Sequence, residues 1–438
     1  MEENSLLHPN HHAYCSGHNT TTAMIQMYDS WINMIEDGQL GGVCMLDMSA
    51  AFDVVDHDIL LEKLSLYGFE MDSLSWIRNY LTGRSQCVLI EGSLSNLLSC
   101  EVGVPQGSIL GPLFYTIYTN ELPEVIHTHS AESNDLIQSS FNLNSSKNGN
   151  VCCYADDTTL SCSAPDPLTL SQRLEDKYRL LSDFMLNNRL KLNDTKTQLL
   201  IIKPGVRNYH ELSQQVLIKT SEEDIRPCQS AKLLGCWVTS DLTWKEHLRN
   251  NNSDNLLSSL NKRAAAIRLI GKLASFKTRK MIANGIYFSK LSYLIALWGG
   301  CGSILRNALQ VSQNKVARIV TKLPWTTPTS VLLQQCGWLS VNQLIFYHSV
   351  LMLFKVKKQG YPKYLFDMHK DSEYSYSTRQ ATNSILKIKQ ARLELSRESF
   401  RWRAAQQFNL IPKDIRDETS IDEFKSKVKS WIKTNIVV

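Results

Sequence analysis

Apolar residues crowd together in "GVCMLDM", residues 42 to 48, and such a short continuous run predicts a buried strand ending on Asp47. In the stretch that follows, "SAAFDVVDHDILLEKLSLYG", apolar positions recur at helical spacing. "QCVLIEG" and "LLSCEVGVPQG" predict a pair of strands leading to a loop with Pro105 and Gly107, and "SILGPLFYTIYTNELPEVI" predicts a helix ended near Pro123. Residues 130 to 149 are polar, Ser/Asn-rich and aperiodic, which predicts a surface loop. Two short apolar runs then flank a pair of acids in "VCCYADDTTLSC", Val151 to Cys162, the pattern of a strand, a tight turn and a returning strand.

Beyond that hairpin, Leu174, Tyr178, Leu181 and Met185 step by four, three and four, an amphipathic helix ending near Asn187 and Asn188. "TKTQLLIIKP" returns as a strand, with further strands expected around "QQVLIKT" and "AKLLGCWVTS". From about Trp244 the pattern turns helical, and "TKLPWTTPTS" interrupts it at Pro324 and Pro328. Three sections are expected: 1–243, 244–325 and 326–438. The order of elements predicts an α+β fold, a mixed sheet covered by helices with a site at one edge.

Asp156 and Asp157 change this picture, because one Asp serves a turn well and two adjacent ones repel. Turn duty is one account of them, and a cation that neutralises both is the other. Should the strand ending on Asp47 lie beside the hairpin, three carboxylates converge where divalent cations would hold them, as two-metal phosphoryl transfer requires.

Composition sets the class. At 438 residues the chain can hold two or three domains, and its 43% apolar and 20% charged residues are those of a globular protein. It opens without a basic segment followed by an apolar run, and no stretch reaches membrane-spanning length, so the expectation is a protein neither secreted nor membrane-bound. Eleven cysteines without a CxxC pair predict reduced thiols. "HHAYCSGH" gathers His11, His12, Cys15 and His18, but no second Cys/His pair stands nearby at zinc-finger spacing. The net charge of +5 conceals an asymmetry: Lys262 to Lys322 carries twelve basic residues and no acidic one. That segment is either a solvated helical face or a surface that tracks phosphates.

The segments "MLDMSAAFDVVDH", "GVPQGSILGPLFYTIYTNELPE" and "CYADDTTL" occur in the order of three reverse transcriptase palm motifs. The chain resembles the reverse transcriptases of non-LTR, LINE-type, jockey-like retrotransposons, and "LNNRLKLNDTKTQLLI" and "AKLLGCWVTSDLTWKEHL" stand where that family has its next two motifs. The resemblance implies a right-hand polymerase, palm and fingers with a helical thumb and a helical C-terminal region, acting as an RNA-directed DNA polymerase. It implies that Asp47 and Asp156, with Asp157 beside them and the Met48 carbonyl completing one shell, hold two Mg2+ ions, for which Mn2+ would substitute. Phe52 becomes a steric gate against a ribose 2'-hydroxyl, or else a core ring. Gln106 and Gly107 would meet the incoming nucleotide. Tyr154 would pack near the primer terminus or serve as a strand aromatic, and Lys196 would protonate pyrophosphate or stay a solvated lysine.

Leu234 and Gly235 in "LLGCW" resemble the turn that grips the primer, and the basic helices beyond would be a thumb, while Trp298, Trp325 and Trp338 are expected as core residues and not as base-stacking platforms. Implied partners are template RNA, a DNA primer and deoxynucleoside triphosphates, with no membrane and no protein partner, in the nucleus or cytoplasm. One position departs from the family pattern: Cys15 stands where a basic residue usually helps bind the triphosphate. The absence of an endonuclease domain and of a closing zinc knuckle leads to the expectation of a polymerase portion detached from a longer element. A catalytically impaired remnant that binds nucleic acid is the alternative. A group II intron maturase is a third option, without the motif spacing or splicing domain it requires.

Overall fold

The computed structural model describes residues 6–128, 150–203, 209–220, 223–250, 254–369, 385–388 and 390–436, so the loop expected over 130–149 lies outside the described residues. The chain divides into two compact units, one of Met1–Ala23 with Asp37–Leu234, the other of Met24–Glu36 with Gly235–Val438. The division at Leu234 falls ahead of the boundary expected at 243. Most of the first helix, α1 (Thr20–Glu36), belongs to the second unit, although it precedes the whole sheet in sequence.

In the first unit β1 (Leu40–Leu46) is buried along its whole length, as its continuous apolar run requires. The hairpin of β6 (Asn150–Tyr154) and β7 (Asp157–Ala164) adds to one side and β8 (Gln198–Ile202) to the other, giving the order β6-β7-β1-β8-β9 with β9 at Pro227–Cys228. β1 runs antiparallel to both neighbours, Leu46 facing Thr158 and Met45 facing Gln198. The amphipathic helix α6 (Pro167–Asn187) buries Leu170, Leu174, Tyr178 and Leu181 on this sheet. Gly42 is what lets it approach: a Cβ there would lie 2.9 Å from a Leu174 methyl.

Between β1 and β6 lie α2 (His57–Leu66), α3 (Met71–Leu81), α4 (Leu110–Tyr118) and α5 (Leu122–Thr128). The helical spacing after Asp47 is realised only from His57, because Asp56 caps that helix, its side chain accepting from the Asp58 and Ile59 N–H groups at 3.0 Å each. Pro123 does not end a helix. It sits in the first turn of α5, where a missing N–H is harmless, and the break is at Thr119–Glu121. The strands expected from "QCVLIEG" and "LLSCEVG" are two short ladders, β2 (Arg84–Gln86) with β5 (Leu98–Cys100) and β3 (Leu89–Ile90) with β4 (Ser93–Leu94). "QQVLIKT" likewise yields only an isolated bridge, Ile218 to Ile225.

"HHAYCSGH" is structural. His11 bridges in parallel to Cys153, and the His12 N–H donates to the Cys153 carbonyl at 2.9 Å, so this segment extends the sheet beyond β6. His11 and His12 are buried, and burial holds the imidazoles neutral, with pKa values lowered to about 4 and about 3. Buried thiols such as Cys44, Cys152 and Cys162 form no disulfide.

The second unit is almost wholly helical. Long helices span Leu256–Ile270, Ser303–Thr321, Val341–Gln359 and Ile421–Asn435, and among the described residues no single helix is long and apolar enough to cross a membrane. Trp31 of α1 is fully buried within it, and Tyr28 stacks on Trp244 at 4.7 Å. Trp298 and Trp338 are core residues as expected, whereas Trp325 is 82% exposed. It lies between Pro324 and Pro328, on a turn that neither flanking helix can extend to cover.

Candidate active site

Register brings the first two carboxylates together. Leu46 pairs with Thr158, and one further step of the same antiparallel register sets Asp47 opposite Asp157. Beyond Leu46 the chain is held from the β8 side: the Asn193 N–H donates to the Asp47 carbonyl at 2.9 Å, and the Ser49 N–H donates to the Lys191 carbonyl at 3.0 Å. Met48 lies between those bonds, opposite Leu192. In such a pair the central residue's own backbone groups turn away from the partner strand, so the Met48 carbonyl points to the side on which β7 lies.

The hairpin supplies the rest. Tyr154 pairs with Asp157, leaving Ala155 and Asp156 as a two-residue turn with Ala155 at φ +55°. Tyr154 is half-buried in the last pair of β6, while Asp156 and Asp157 are exposed at the tip. The Asp157 carboxyl is pushed above its ordinary pKa, first by lost solvation and then by the charges of Asp156 and Asp47. Lys196 Nζ stands 3.9 Å from Asp47 Oδ2, but Lys196 is largely solvated and Asp47 half-buried, so this cation relieves little of the repulsion. Asn193 holds the turn that carries Lys196, accepting at its carbonyl from the N–H groups of Lys196 and Thr197.

Carboxylates and a backbone carbonyl are hard oxygen donors, the set preferred by Mg2+ and Mn2+. Among the described residues no three His, Cys, Asp or Glu side chains close into a ready-made cage. The donor set fits a divalent cation, and the crowding at Asp157 is what such a cation would relieve.

A backbone strap brings the loop carrying Gln106 onto the turn that carries Phe52. The Val104 N–H donates to the Phe52 carbonyl at 2.9 Å and the Gly103 N–H to the Val55 carbonyl at 2.7 Å, strapping the "VGVPQG" loop onto residues 52–55. Gly103 is obligatory there: its φ is +89°, and a Cβ would sit 2.6 Å from the Asp53 carbonyl oxygen. The strap carries Gln106 to Asp53, whose Oδ1 accepts from Gln106 Nε2 at 2.8 Å. Gly107 follows at φ +82° with open space around it. Phe52 is half-buried, its ring 4.5 Å from that of Tyr115 on α4.

Sequence reasoning did not single out Tyr115, Asp53 or Asn193. Tyr115 shares the periodicity of a core helix, and Asp53 and Asn193 resemble ordinary turn residues, so only the fold shows that they touch the site. Leu234 closes the first unit and Gly235 opens the second, both at positive φ, with the Tyr293 ring 3.7 Å from where a Gly235 Cβ would be. Cys15 follows the segment paired to β6, its thiol donating to the Ala13 carbonyl at 3.4 Å. The parallel pairing directs the chain after His11 toward the same end of β6 as the hairpin tip.

The family model "Reverse transcriptase (RNA-dependent DNA polymerase)" matches residues 2–238. The probable RNA-directed DNA polymerase from transposon BS of Drosophila melanogaster is 25% identical over 357 residues, 80% of this chain and 36% of that protein. The RNA-directed DNA polymerase from mobile element jockey of Drosophila funebris is 25% identical over 320 residues, 70% of this chain and 31% of that protein. The chain thus spans about a third of the length of these relatives. Among solved structures, a telomerase from Candida tropicalis aligns over 97% of this chain and 55% of that one, at 12% identity and a TM-score of 0.40. With its acids, Gln-Gly loop and YADD hairpin inside the matched region, the chain belongs to the reverse transcriptase family, and within it to the non-LTR, LINE-type reverse transcriptases.

Proposed function

We propose that this chain is an RNA-directed DNA polymerase that extends a DNA primer on template RNA from deoxynucleoside triphosphates. The observation that carries the reading is the register that sets Asp47 opposite Asp157 beside Asp156, in a chain whose family generally uses divalent metal ions. Asp47, Asp156 and the Met48 carbonyl would hold Mg2+, or Mn2+ in its place, with Asp157 beside them. When bound, the cations supply the positive charge that polarises the primer 3'-hydroxyl and neutralises the triphosphate.

Each neighbouring residue then has a task. The primer 3'-oxygen gives up its proton to solvent and bonds to the α-phosphorus as the bond to the bridging oxygen breaks, and Lys196 gives a proton to the departing pyrophosphate. Phe52 stands where a ribose 2'-hydroxyl would clash. Gln106 and Gly107 offer an amide and an unobstructed backbone to the nucleotide, and Tyr154 packs at the primer terminus. Leu234 and Gly235 would grip the primer strand. Palm and fingers would lie in the first unit, a thumb and the C-terminal helices in the second. Exposed Lys262, Arg268, Lys272, Lys277, Lys315 and Lys322 suit sequence-independent phosphate contacts, whereas buried Arg279 bonds the Val320 and Ala274 carbonyls. The nucleus or cytoplasm suits such a substrate.

Primer extension on an RNA template with Mg2+ tests the reading. Extension by the parent chain that disappears in Asp156→Asn supports it. Cys15 favours a second reading, a remnant that binds nucleic acid without catalysis, since its thiol cannot replace a guanidinium on a triphosphate. That reading predicts duplex binding without extension in the parent, and extension in Cys15→Arg.

A further inference from the structure

Phe52 is half-buried, and its ring has one aromatic partner among the described ring contacts, Tyr115. Tyr115 is 1% exposed and comes from the middle of α4, an element separate from the turn that carries Phe52. Its ring lies 4.5 Å from Phe52 at 32°, and its hydroxyl donates to Met48 Sδ at 3.2 Å. Burial first, and then Cys153 and Asp156, raise the pKa of that hydroxyl, which stays protonated and able to donate. One side chain therefore backs Phe52 and bonds Met48, the residue after Asp47.

We propose that Tyr115 is a specificity-determining positioning residue, the seat that keeps Phe52 in the path of a ribose 2'-hydroxyl. This rests on the reading of Phe52 as the sugar gate. A gate that rejects by clash excludes no more strongly than it resists being pushed aside, and a half-buried ring on a surface turn resists only through what lies behind it. The backbone strap from Val104 fixes the Phe52 main chain, but not the ring. The Tyr115 ring does that, in a helix packed into the core.

The test is the ratio of kcat/KM for a deoxynucleotide to that for the matching ribonucleotide, in the parent, Tyr115→Phe, Tyr115→Leu and Phe52→Ala. Tyr115→Phe keeps the ring and should keep the parent ratio, whereas Tyr115→Leu should lower it about tenfold, the effect of one altered pocket contact. In the Phe52→Ala background Tyr115→Leu should change nothing further, because there is no ring left to seat. An unchanged ratio in Tyr115→Leu overturns the proposal. A parent ratio unaffected by Phe52→Ala overturns the gate reading on which it rests. Should the chain extend neither nucleotide, the polymerase reading fails, and fluorine NMR of a 4-fluorophenylalanine at position 52 still decides the seat. A single narrow resonance that splits or broadens in Tyr115→Leu but not in Tyr115→Phe supports it, and identical spectra overturn it.

Discussion

Asp156 was legible because two like charges side by side need a reason, and the register of β7 with β1 supplies one. Gly103 and Ala155 were not legible, although both shape the site through backbone conformation alone. Nothing in "EVGVPQG" marks the first glycine as the one that must admit the Asp53 carbonyl. Gly103→Ala is therefore expected to destabilise the first unit by at least about 2 kcal/mol, from a left-handed Cβ plus the clash. Denaturant unfolding measures this, and a loss below half that figure would contradict the close approach. Ala155 is the reverse case, since its φ of +55° strains an L residue at the hairpin tip. Ala155→Gly should raise stability by up to about 1 kcal/mol, less any entropy lost with the greater freedom of glycine. A lowered melting temperature would count against strain there.

At the scale of elements, the apolar runs of β1 and β8 were found as strands because burial on both faces leaves a plain pattern, whereas those in "QCVLIEG" and "QQVLIKT" gave only short ladders or a bridge. Helix starts were harder to read. The helical spacing after Asp47 continues through a turn that is not helical, and the signal for the true start is Asp56, an N-cap that also pairs with Arg189. Burial pushes the Asp56 carboxyl up, but the Ile59 N–H, Arg189 and the Asp58 N–H outweigh it and hold its pKa below the ordinary value. A depressed native pKa stabilises the fold above the unfolded value, about pH 4, and that contribution disappears as pH falls through the native value. Asp56→Ala should cost about 1–2 kcal/mol at neutral pH and flatten the acid limb of the stability curve. An acid limb that is unchanged in the variant would show that the pair with Arg189 does not act this way.

Across the whole molecule, the order of motifs identified the family, while the place of α1 in the second unit escaped the sequence. Helix α1 precedes the sheet in the chain, yet Met24–Glu36 packs with the C-terminal helices, and no local pattern records that allegiance. Its Asp29 makes the point energetically. Burial raises the Asp29 carboxyl to about 7 against the opposing charges of Arg401 and Arg403, and Oδ2 has no hydrogen-bond partner among the described residues. With a raised native pKa, the second unit has the full contribution below about pH 4 and loses it as pH rises through about 7. Asp29→Asn should remove that decline, which thermal unfolding from pH 5 to pH 8 would detect. A decline as steep in the variant as in the parent would contradict an uncompensated Asp29.

The proposed chemistry needs Asp47, Asp156 and Asp157 to act together in holding cations, and Mn2+ binding followed by electron paramagnetic resonance, with primer–template and nucleotide present, shows whether they do. The predicted result is Mn2+ bound by the parent at neutral pH, displaced by Mg2+, weakened as pH falls and Asp157 takes a proton, and lost in Asp47→Asn and in Asp156→Asn. Mn2+ binding that is the same in the parent and in both variants would contradict it.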